Sequence, residues 1–404
     1  MDSSPSSVSK RQLVLMMGAL AALGPLSIDM YLPSFPAVEK DLATNAGLVG
    51  ATVATFFAGL CAGQMIYGPM SDRVGRKKPL LLGVGIYLLA SIGCMLSISI
   101  EALLVLRFFQ ALGACSGMVI ARAMIRDLFE PTEAAKVFSL VMLTMGVAPI
   151  LAPILGQLVA DVAGWRGIFA FMVLFSAAVY RAVDRLLPAD SAASRRADHR
   201  PIWQRFASVL SDRNFVGFAL SGTLIQGGLY AYITGSPDLF IKEIGLSPKA
   251  FSVLFGLNAS GLIMASQLNA WLLNRYSYQR VLARALQVAA LAALVLAVMG
   301  LNHSGGMLIV APLFVFIASL GLVFPNSTAG ALSQQGHQAG TASAVLGVIQ
   351  YGGAALASAT VGVLHGYTSA PLQVTIGICG VLSLLAFFWL LNSPRPAPAP
   401  ISAR

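Results

Sequence analysis

Charged residues are scarce in this sequence. Its 404 residues include 26 Lys+Arg and 16 Asp+Glu, so only 10% are charged while 57% are hydrophobic. A typical soluble domain carries roughly 25% charged residues, which excludes an ordinary water-soluble globule. The net charge of +10 does not indicate a nucleic-acid partner, because the charges lie between apolar stretches and form no basic patch on a soluble domain. Lipid is therefore predicted to be the solvent for most of the surface.

Residues that could build a metal or catalytic centre are also few. The four histidines lie far apart, and no His-Glu-x-x-His, Cys-x-x-Cys or phosphate-binding glycine loop occurs. The cysteines fall inside apolar stretches, where no disulfide framework is needed. They are Cys61, Cys94, Cys115 and Cys379. We expect no metal, no cofactor and no enzymatic activity, and a membrane-embedded enzyme is the disfavoured alternative.

Long apolar stretches of about 20 residues recur along the chain, each long enough to cross a bilayer as a helix. They predict twelve spans, at about 12–34, 47–68, 79–98, 102–125, 136–160, 167–187, 214–237, 250–273, 279–301, 306–328, 339–364 and 371–391. The predicted fold is an all-α membrane protein, a bundle of twelve transmembrane helices in two pseudo-symmetric six-helix halves.

Polar segments divide the chain. We predict an N-terminal tail (1–11), a six-helix bundle (12–187), a linker (188–213), a second six-helix bundle (214–391) and a C-terminal tail (392–404). Short basic loops at 72–78 and 274–280 echo one another, about half a chain apart. Two such halves are the plan of transporters that rock around a site at the bilayer midplane.

The positive charges are distributed unevenly between the two ends of the predicted spans. If the N-terminus is cytoplasmic, 21 of the 26 Lys and Arg residues fall on the cytoplasmic side. This bias predicts that both termini and the linker are cytoplasmic.

Two ionisable residues lie well inside the predicted spans, Asp29 in the first and Arg107 in the fourth. Each costs about 2.5 to 3.5 kcal/mol at a helix centre, so a function is the default hypothesis. Both residues are predicted to lie at similar depths from the same membrane face. An ion pair between them, or a cavity that they share, is therefore geometrically possible. Desolvation favours a protonated carboxyl and a nearby arginine favours the carboxylate, so conformation could load and unload a proton. The alternatives are a structural carboxylate near Pro33 and an arginine that joins helices.

The segment Gly68-Pro-Met-Ser-Asp-Arg-Val-Gly-Arg-Lys-Lys78 joins spans 2 and 3 and resembles the signature loop of the major facilitator superfamily. Its glycines permit a tight turn, and Asp72 could meet a helix N-terminus or its basic neighbours. A purely topogenic basic loop is the alternative. The resemblance implies a gating role for this loop, with Gly68, Asp72, Arg73, Gly75 and Arg76 as its residues.

Two further motifs resemble the same family. Leu106-Arg107-Phe-Phe-Gln-Ala-Leu-Gly113 matches a span-4 motif whose arginine, here Arg107, is implicated in proton coupling. The run from Gly146 through Pro149 and Pro153 to Gly156 resembles the span-5 motif of the antiporter branch, although it departs from the usual Gly-Pro-x-x-Gly core. Prolines four residues apart bend a helix on one face, and the glycines let a neighbour pack closely.

Residues 28–36, 121–128 and 336–344 together resemble the bicyclomycin and chloramphenicol resistance branch of bacterial drug:proton antiporters. The resemblance implies an inner-membrane exporter of small amphipathic antibiotics, such as bicyclomycin, phenicols or sulfonamides, in which Asp29 matches the buried acid. Its expected partners are a drug, protons and membrane lipid, with no nucleic acid, and the expected state is a monomer. An exporter of a native small metabolite and a proton symporter remain alternatives.

Polar and aromatic residues in otherwise aliphatic spans are candidates for the substrate-binding wall, since they can hydrogen-bond or stack on an amphipathic ligand. A tyrosine near a span end is alternatively an interface anchor. The candidates are Tyr31, Gln226, Tyr230, Tyr232, Asn258, Asn326, Gln350 and Tyr351.

Overall fold

The computed structural model describes residues 10–129, 131–187, 202–302, 306–335, 339–364 and 370–391, and within these ranges the chain is helical with no strand. The helices are α1 (Lys10–Asp29), α2 (Phe35–Asp41), α3 (Ala46–Val74), α4 (Lys77–Leu96), α5 (Ile100–Leu128), α6 (Pro131–Leu186), α7 (Ile202–Leu210), α8 (Arg213–Pro237), α9 (Pro248–Leu272), α10 (Tyr278–Leu301), α11 (Val310–Leu332), α12 (Ala339–Leu364) and α13 (Pro371–Leu391). Short 3-10 turns lie at Leu32–Ser34 and Gly306–Ile309, and a π-helical turn lies at Asp238–Glu243.

Eleven helices in the described part of the chain are long and apolar enough to cross a membrane. One of them, α6, is divided at Gly164, where a φ of 67° breaks the helix. A continuous helix of its 56 residues would be about 84 Å long, far more than a bilayer needs. We call residues 131–163 and 165–186 its first and second arms. The two arms complete twelve crossings, so the predicted all-α bundle is confirmed.

The outer faces of the helices expose large apolar side chains. Leu89, Leu174 and Leu356 are 70%, 73% and 73% exposed. Polar side chains such as Arg107 and Gln110 are instead fully buried between helices. This inside-out distribution fits a protein whose solvent is hydrocarbon.

The bundle has two distinct ends. The start of α1, the α3–α4 turn and α7 lie at one end, which we call the basic end; α2 and the α8–α9 connection lie at the other, the opposite end. Between the two halves, α3 packs against α12 and the first arm of α6 packs against α9. These two helix pairs form the boundary at which a path across the membrane would open.

The first predicted span differs from the observed one. We predicted one helix over 12–34, but α1 ends at Asp29 and the chain continues through a 3-10 turn into α2. Pro33 explains the break, because it has no N–H for the carbonyl of Asp29 and its ring would clash with that carbonyl. The break places the Asp29 carboxyl at the end of a helix rather than within one.

The connection between the second and third spans also differs from its prediction. We predicted a loop from Gly68 to Lys78, but α3 continues to Val74 and α4 begins at Lys77. The turn therefore consists of two residues, and Gly75 adopts a φ of 100° there.

The predicted linker (188–213) contains helix α7, and α8 begins at its last residue, Arg213. Arg205 of α7 donates from Nε and Nη2 to the hydroxyl of Thr341 in α12, at 3.1 and 2.6 Å. Residues 188–201, both predicted tails apart from Lys10 and Arg11, and residues 336–338 of the third branch motif lie outside the described residues.

Candidate functional site

Asp29 is the last residue of α1 and is only 4% exposed. Among the described residues its carboxyl group has no hydrogen-bond or ionic partner. A charged carboxylate is costly in such a place, whereas a protonated carboxyl is not. The site therefore suits a group that changes its protonation state with its surroundings.

Arg107 lies in α5 and is completely buried. Its Nη1 donates to the backbone carbonyl of Ser27, at 3.0 Å, and to Oε1 of Gln110, at 2.6 Å. Nε and Nη2 have no hydrogen-bond partner within the described chain. Two strong donors of a buried cation thus remain available to a ligand, a water or a moving carboxylate.

Three aromatic rings surround this guanidinium, and we call them the arginine cage. The guanidinium carbon lies 4.4 Å from the ring centre of Phe56, 5.1 Å from that of Tyr31 and 5.9 Å from that of Phe169. Ring faces attract a desolvated cation by about 2 kcal/mol or more. The cage therefore holds a positive charge in the bundle without a paired acid.

A chain of buried polar side chains supports Arg107, and its members were not predicted from the sequence as site residues. Gln110 donates from Nε2 to the hydroxyl of Ser91 at 2.8 Å, and Ser91 donates to the carbonyl of Tyr87 at 2.7 Å. The hydroxyls of Tyr87 and Ser27 lie 2.6 Å apart. The only signal for these residues was a polar side chain in an apolar span, such as Gln110 three residues after Arg107.

Asp29 and Arg107, both among the described residues, form no salt bridge with one another in this conformation. The guanidinium of Arg107 instead donates a hydrogen bond to the backbone carbonyl of Ser27, two residues before Asp29. The two groups thus lie in one region of the half, but a conformational change is needed to pair them.

Asp29 lies close to the other half of the bundle. Its carboxyl group is within electrostatic range of the hydroxyl of Tyr232 in α8, and the 3-10 turn that follows Asp29 packs against α8 and α9. That hydroxyl accepts a hydrogen bond from Nδ2 of Asn258 at 3.0 Å, while the buried Oδ1 of Asn258 has no partner in the described structure. The Tyr232 ring stacks on Phe255, with ring centres 5.2 Å apart. An unpaired acid and an unpaired acceptor therefore lie at the boundary between the halves.

Four further candidates lie along the same boundary. The Tyr230 ring contacts Phe57 of the other half with ring centres 4.4 Å apart, and the Tyr230 hydroxyl accepts from Nε2 of Gln226 at 3.0 Å. The Tyr351 hydroxyl lies 3.9 Å from the sulfur of Met118, and the half-buried Gln350 precedes it.

Asn326 occupies a different place from the other candidates. Its Nδ2 donates to Oδ1 of Asn269 at 2.6 Å and to the carbonyl of Leu322 at 2.7 Å. The bond to Asn269 joins α11 to α9 inside the second half, and the bond to Leu322 lies within α11. The structure brings the other seven substrate candidates to the boundary of the halves or to the arginine cage, but not this one.

The motif with Gly146, Pro149, Pro153 and Gly156 lies in the first arm of α6. An added Cβ at Gly156 would lie 2.1 Å from the carbonyl oxygen of Met30, so only glycine allows this approach to the residue after Asp29. Ser252 of α9 donates to the carbonyl of Pro153 at 3.3 Å. This arm therefore contacts both the Asp29 region and the other half.

The signature segment lies at the basic end. Arg76 donates from Nε to Oδ2 of Asp127 at 3.0 Å and from Nη1 to the hydroxyl of Ser71 at 2.7 Å. Arg73 is exposed, and no described atom lies within 4 Å of a Cβ added at Gly68. The side chain of Asp72 lies outside the described part. The Arg76 contacts tie the α3–α4 turn to the end of α5, within one half.

Ion pairs connect the halves at the opposite end. Lys249, just inside α9, lies 3.0 Å from Asp161 in the first arm of α6. Lys242 pairs with Glu39 of α2. With the Ser252 bond to Pro153, these contacts join the two halves at the opposite end.

For the transporter that the sequence motifs predict, reversing one of these charges is expected to lower transport two- to fivefold. Lys249→Glu places like charges together, and exposed pairs are worth about 0.2 to 1 kcal/mol. The exchanged pair Asp161→Lys with Lys249→Glu should restore the rate, measured as initial transport in vesicles. Lys40→Glu, an exposed change of the same size at the same end, is the control. A rate that stays low in the exchanged pair would contradict a role for this contact in closure.

No group of three or more His, Cys, Asp or Glu side chains that could hold a metal ion occurs within the described ranges. All four histidines lie outside them.

Comparison with known proteins gives three kinds of likeness. The sequence model of the Major Facilitator Superfamily matches residues 17–358. The uncharacterized MFS-type transporter YdgK of Bacillus subtilis (strain 168) is 35% identical over 394 residues, 96% of this chain and 97% of that protein. A bicyclomycin resistance protein homolog of Haemophilus influenzae is 29% identical and covers 94% of this chain and 96% of its own. A chloramphenicol resistance protein of Pseudomonas aeruginosa is 31% identical over 82% of this chain and 79% of its own length.

Among solved structures, a D-xylose-proton symporter superposes with a TM-score of 0.76 at 13% identity, over 94% of this chain and 97% of that one. This likeness concerns the fold alone, because the two sequences are so different.

Proposed function

The chain belongs to the Major Facilitator Superfamily and is a multi-pass membrane transporter rather than an enzyme, and we propose that it exports small amphipathic drugs in exchange for protons. Relatives named for bicyclomycin and chloramphenicol resistance support drug export. The proposed substrates are bicyclomycin, phenicols such as chloramphenicol and florfenicol, and sulfonamides. The proposed location is the bacterial inner membrane, with the basic end cytoplasmic by the positive-inside bias.

One observation carries the proposal of proton exchange. The buried Asp29 carboxyl has no partner among the described residues, and it lies within electrostatic range of Tyr232 across the boundary of the halves. A carboxyl group in this place lies beside the proposed drug path and beside the half that moves relative to its own. It can therefore link a change in proton occupancy to a change in drug occupancy.

The proposed cycle uses Asp29 as a shared site. When the opposite end opens, a periplasmic proton binds Asp29 and the drug leaves. When the basic end opens, an arriving drug and the approach of Arg107 favour the carboxylate, and the proton leaves to the cytoplasm. The free donors Nε and Nη2 of Arg107 supply the contacts for that step. The drug would lie between the stacked rings and amides of the second half and the arginine cage.

The membrane potential is sufficient to drive this exchange. One net charge moving through 100 mV supplies about 2.3 kcal/mol. At tenfold per 1.4 kcal/mol, exchange of one proton for one neutral drug sustains roughly a 40-fold gradient. ATP is not required.

The test uses an efflux-deficient bacterium and purified protein in liposomes. Expression is expected to raise resistance to at least one of bicyclomycin, phenicols and sulfonamides. In liposomes, an imposed pH gradient should drive uptake of that drug, and adding the drug should move protons the other way, recorded with a pH-sensitive dye. Resistance to none of the three classes would contradict drug export and favour a native metabolite. Drug movement that ignores the pH gradient would contradict proton exchange.

A further inference from the structure

A shallow groove lies on the outer surface of the first half, away from the boundary of the halves. It has a volume of about 480 Å³ and lies open between α4 and the second arm of α6, where Leu88, Ala177, Ala178, Tyr180 and Arg181 line it. The two alanines leave the space that larger side chains would fill. Because this face points away from the bundle interior, the groove is separate from the proposed drug path.

The groove has an uncompensated positive charge at its rim toward the basic end. Arg181 and Arg185 are exposed and lie one helical turn apart on the same face. Neither forms an ion pair within the described chain. The intervening acid, Asp184, is paired with Lys77 at 3.4 Å. Two arginines inside the end of an apolar span are unusual, and nothing in the transport cycle uses them.

The inner limit of the groove lies at about the depth of one leaflet of a bilayer. Lys77 is the first residue of α4 at the basic end, and Leu88 follows eleven residues later. At 1.5 Å per residue the two lie about 16 Å apart along the helix, and one leaflet of the hydrocarbon core is about 15 Å thick. A lipid whose headgroup lies at the arginines would thus have its chain along the alanines as far as Leu88.

We propose that this groove is a binding site for an anionic phospholipid of the leaflet at the basic end. The lipid phosphate pairs with Arg181 and Arg185, and one acyl chain fills the space beside Ala177 and Ala178. Basic pockets between helices on the cytoplasmic side are suited to acidic headgroups. The choice of a lipid over another occupant follows from the charge at the rim together with the apolar walls that extend from it.

Native mass spectrometry of the full chain in detergent tests this proposal, with phosphatidylglycerol as the probe. Three variants are compared with the original protein. Arg181→Gln removes the rim charge, Ala178→Phe fills the apolar part, and Arg280→Gln removes an exposed arginine at the same end of the second half. Size-exclusion profiles establish that each variant is folded.

We expect phosphatidylglycerol to bind about tenfold more weakly to Arg181→Gln, because a charge-assisted contact is lost. Ala178→Phe should also bind more weakly although the charge is intact, and Arg280→Gln should bind like the original. Equal binding to Arg181→Gln and to the original protein would overturn the proposal, as would equal binding of phosphatidylcholine. Displacement of the lipid by millimolar inorganic phosphate would show that the arginines bind free phosphate, and would overturn the lipid assignment.

Discussion

An Asp29→Asn variant is expected to lose proton-driven drug export by about 100-fold or more, in the range by which a positioned proton-transfer group acts. Asparagine has nearly the shape of a protonated aspartic acid but cannot release a proton. Since Asp29 has no ion pair or hydrogen bond to lose in the described structure, the variant should fold and reach the membrane as the original does. The defect should therefore lie in coupling and not in assembly.

Drug exchange without a pH gradient gives a second readout. In the proposed cycle the drug binds while Asp29 is charged and a proton displaces it, so Asp29→Asn, which resembles the protonated form, should also exchange external labelled drug for internal unlabelled drug slowly. Glu101→Gln, which neutralises an exposed acid in the first turn of α5, is the control and should keep active export. Uptake driven by a pH gradient at the original rate in Asp29→Asn would exclude Asp29 as the proton site.

Much of the fold could be predicted from the sequence, because each crossing needs about 20 apolar residues and charged residues mark the ends. The span predicted at 339–364 is the helix observed at Ala339–Leu364, and that at 371–391 is Pro371–Leu391. The resemblance to the major facilitator superfamily and to its bicyclomycin and chloramphenicol resistance branch is confirmed by the relatives.

The breaks in the helices were harder to predict. Pro33 lay inside a predicted span, and hydropathy alone did not show that the helix stops four residues earlier. The reverse occurred at Gly68 and Pro69, which indicated a loop but lie inside α3. Proline and glycine are tolerated in membrane helices when neighbouring helices satisfy the backbone, and a sequence does not contain that information.

The arginine cage was beyond prediction for a different reason. Arg107 stood out as a charge in an apolar span, but Phe56 and Phe169 look like ordinary filler in helices that are apolar on every side. Such helices have no polar face to indicate which residues point inward. Asn258 and Asn326 were equivalent in the sequence, yet one lies at the boundary of the halves and the other binds Asn269.

Replacing Arg107 by lysine is expected to reduce drug export by about 10- to 100-fold, because a hydrogen bond made by a buried charged group is worth roughly 1.5 to 3 kcal/mol. Lysine keeps a positive charge but has a single compact donor group. It cannot bond the Ser27 carbonyl and Gln110 while presenting two more donors toward a ligand or Asp29. It also lacks the flat guanidinium that lies against Phe56 and Tyr31.

Two assays distinguish a coupling role from simple helix packing for Arg107. If the guanidinium promotes release of the proton from Asp29, Arg107→Lys should retain drug–drug exchange at alkaline pH, where the carboxyl loses its proton without that help, while pH-driven export fails. If it only joins helices, both activities should fall together with thermal stability. Arg280→Lys, the same substitution at an exposed arginine in the first turn of α10, should change neither activity. Full export by Arg107→Lys would remove this residue from the mechanism and leave Asp29 to release its proton through the drug alone.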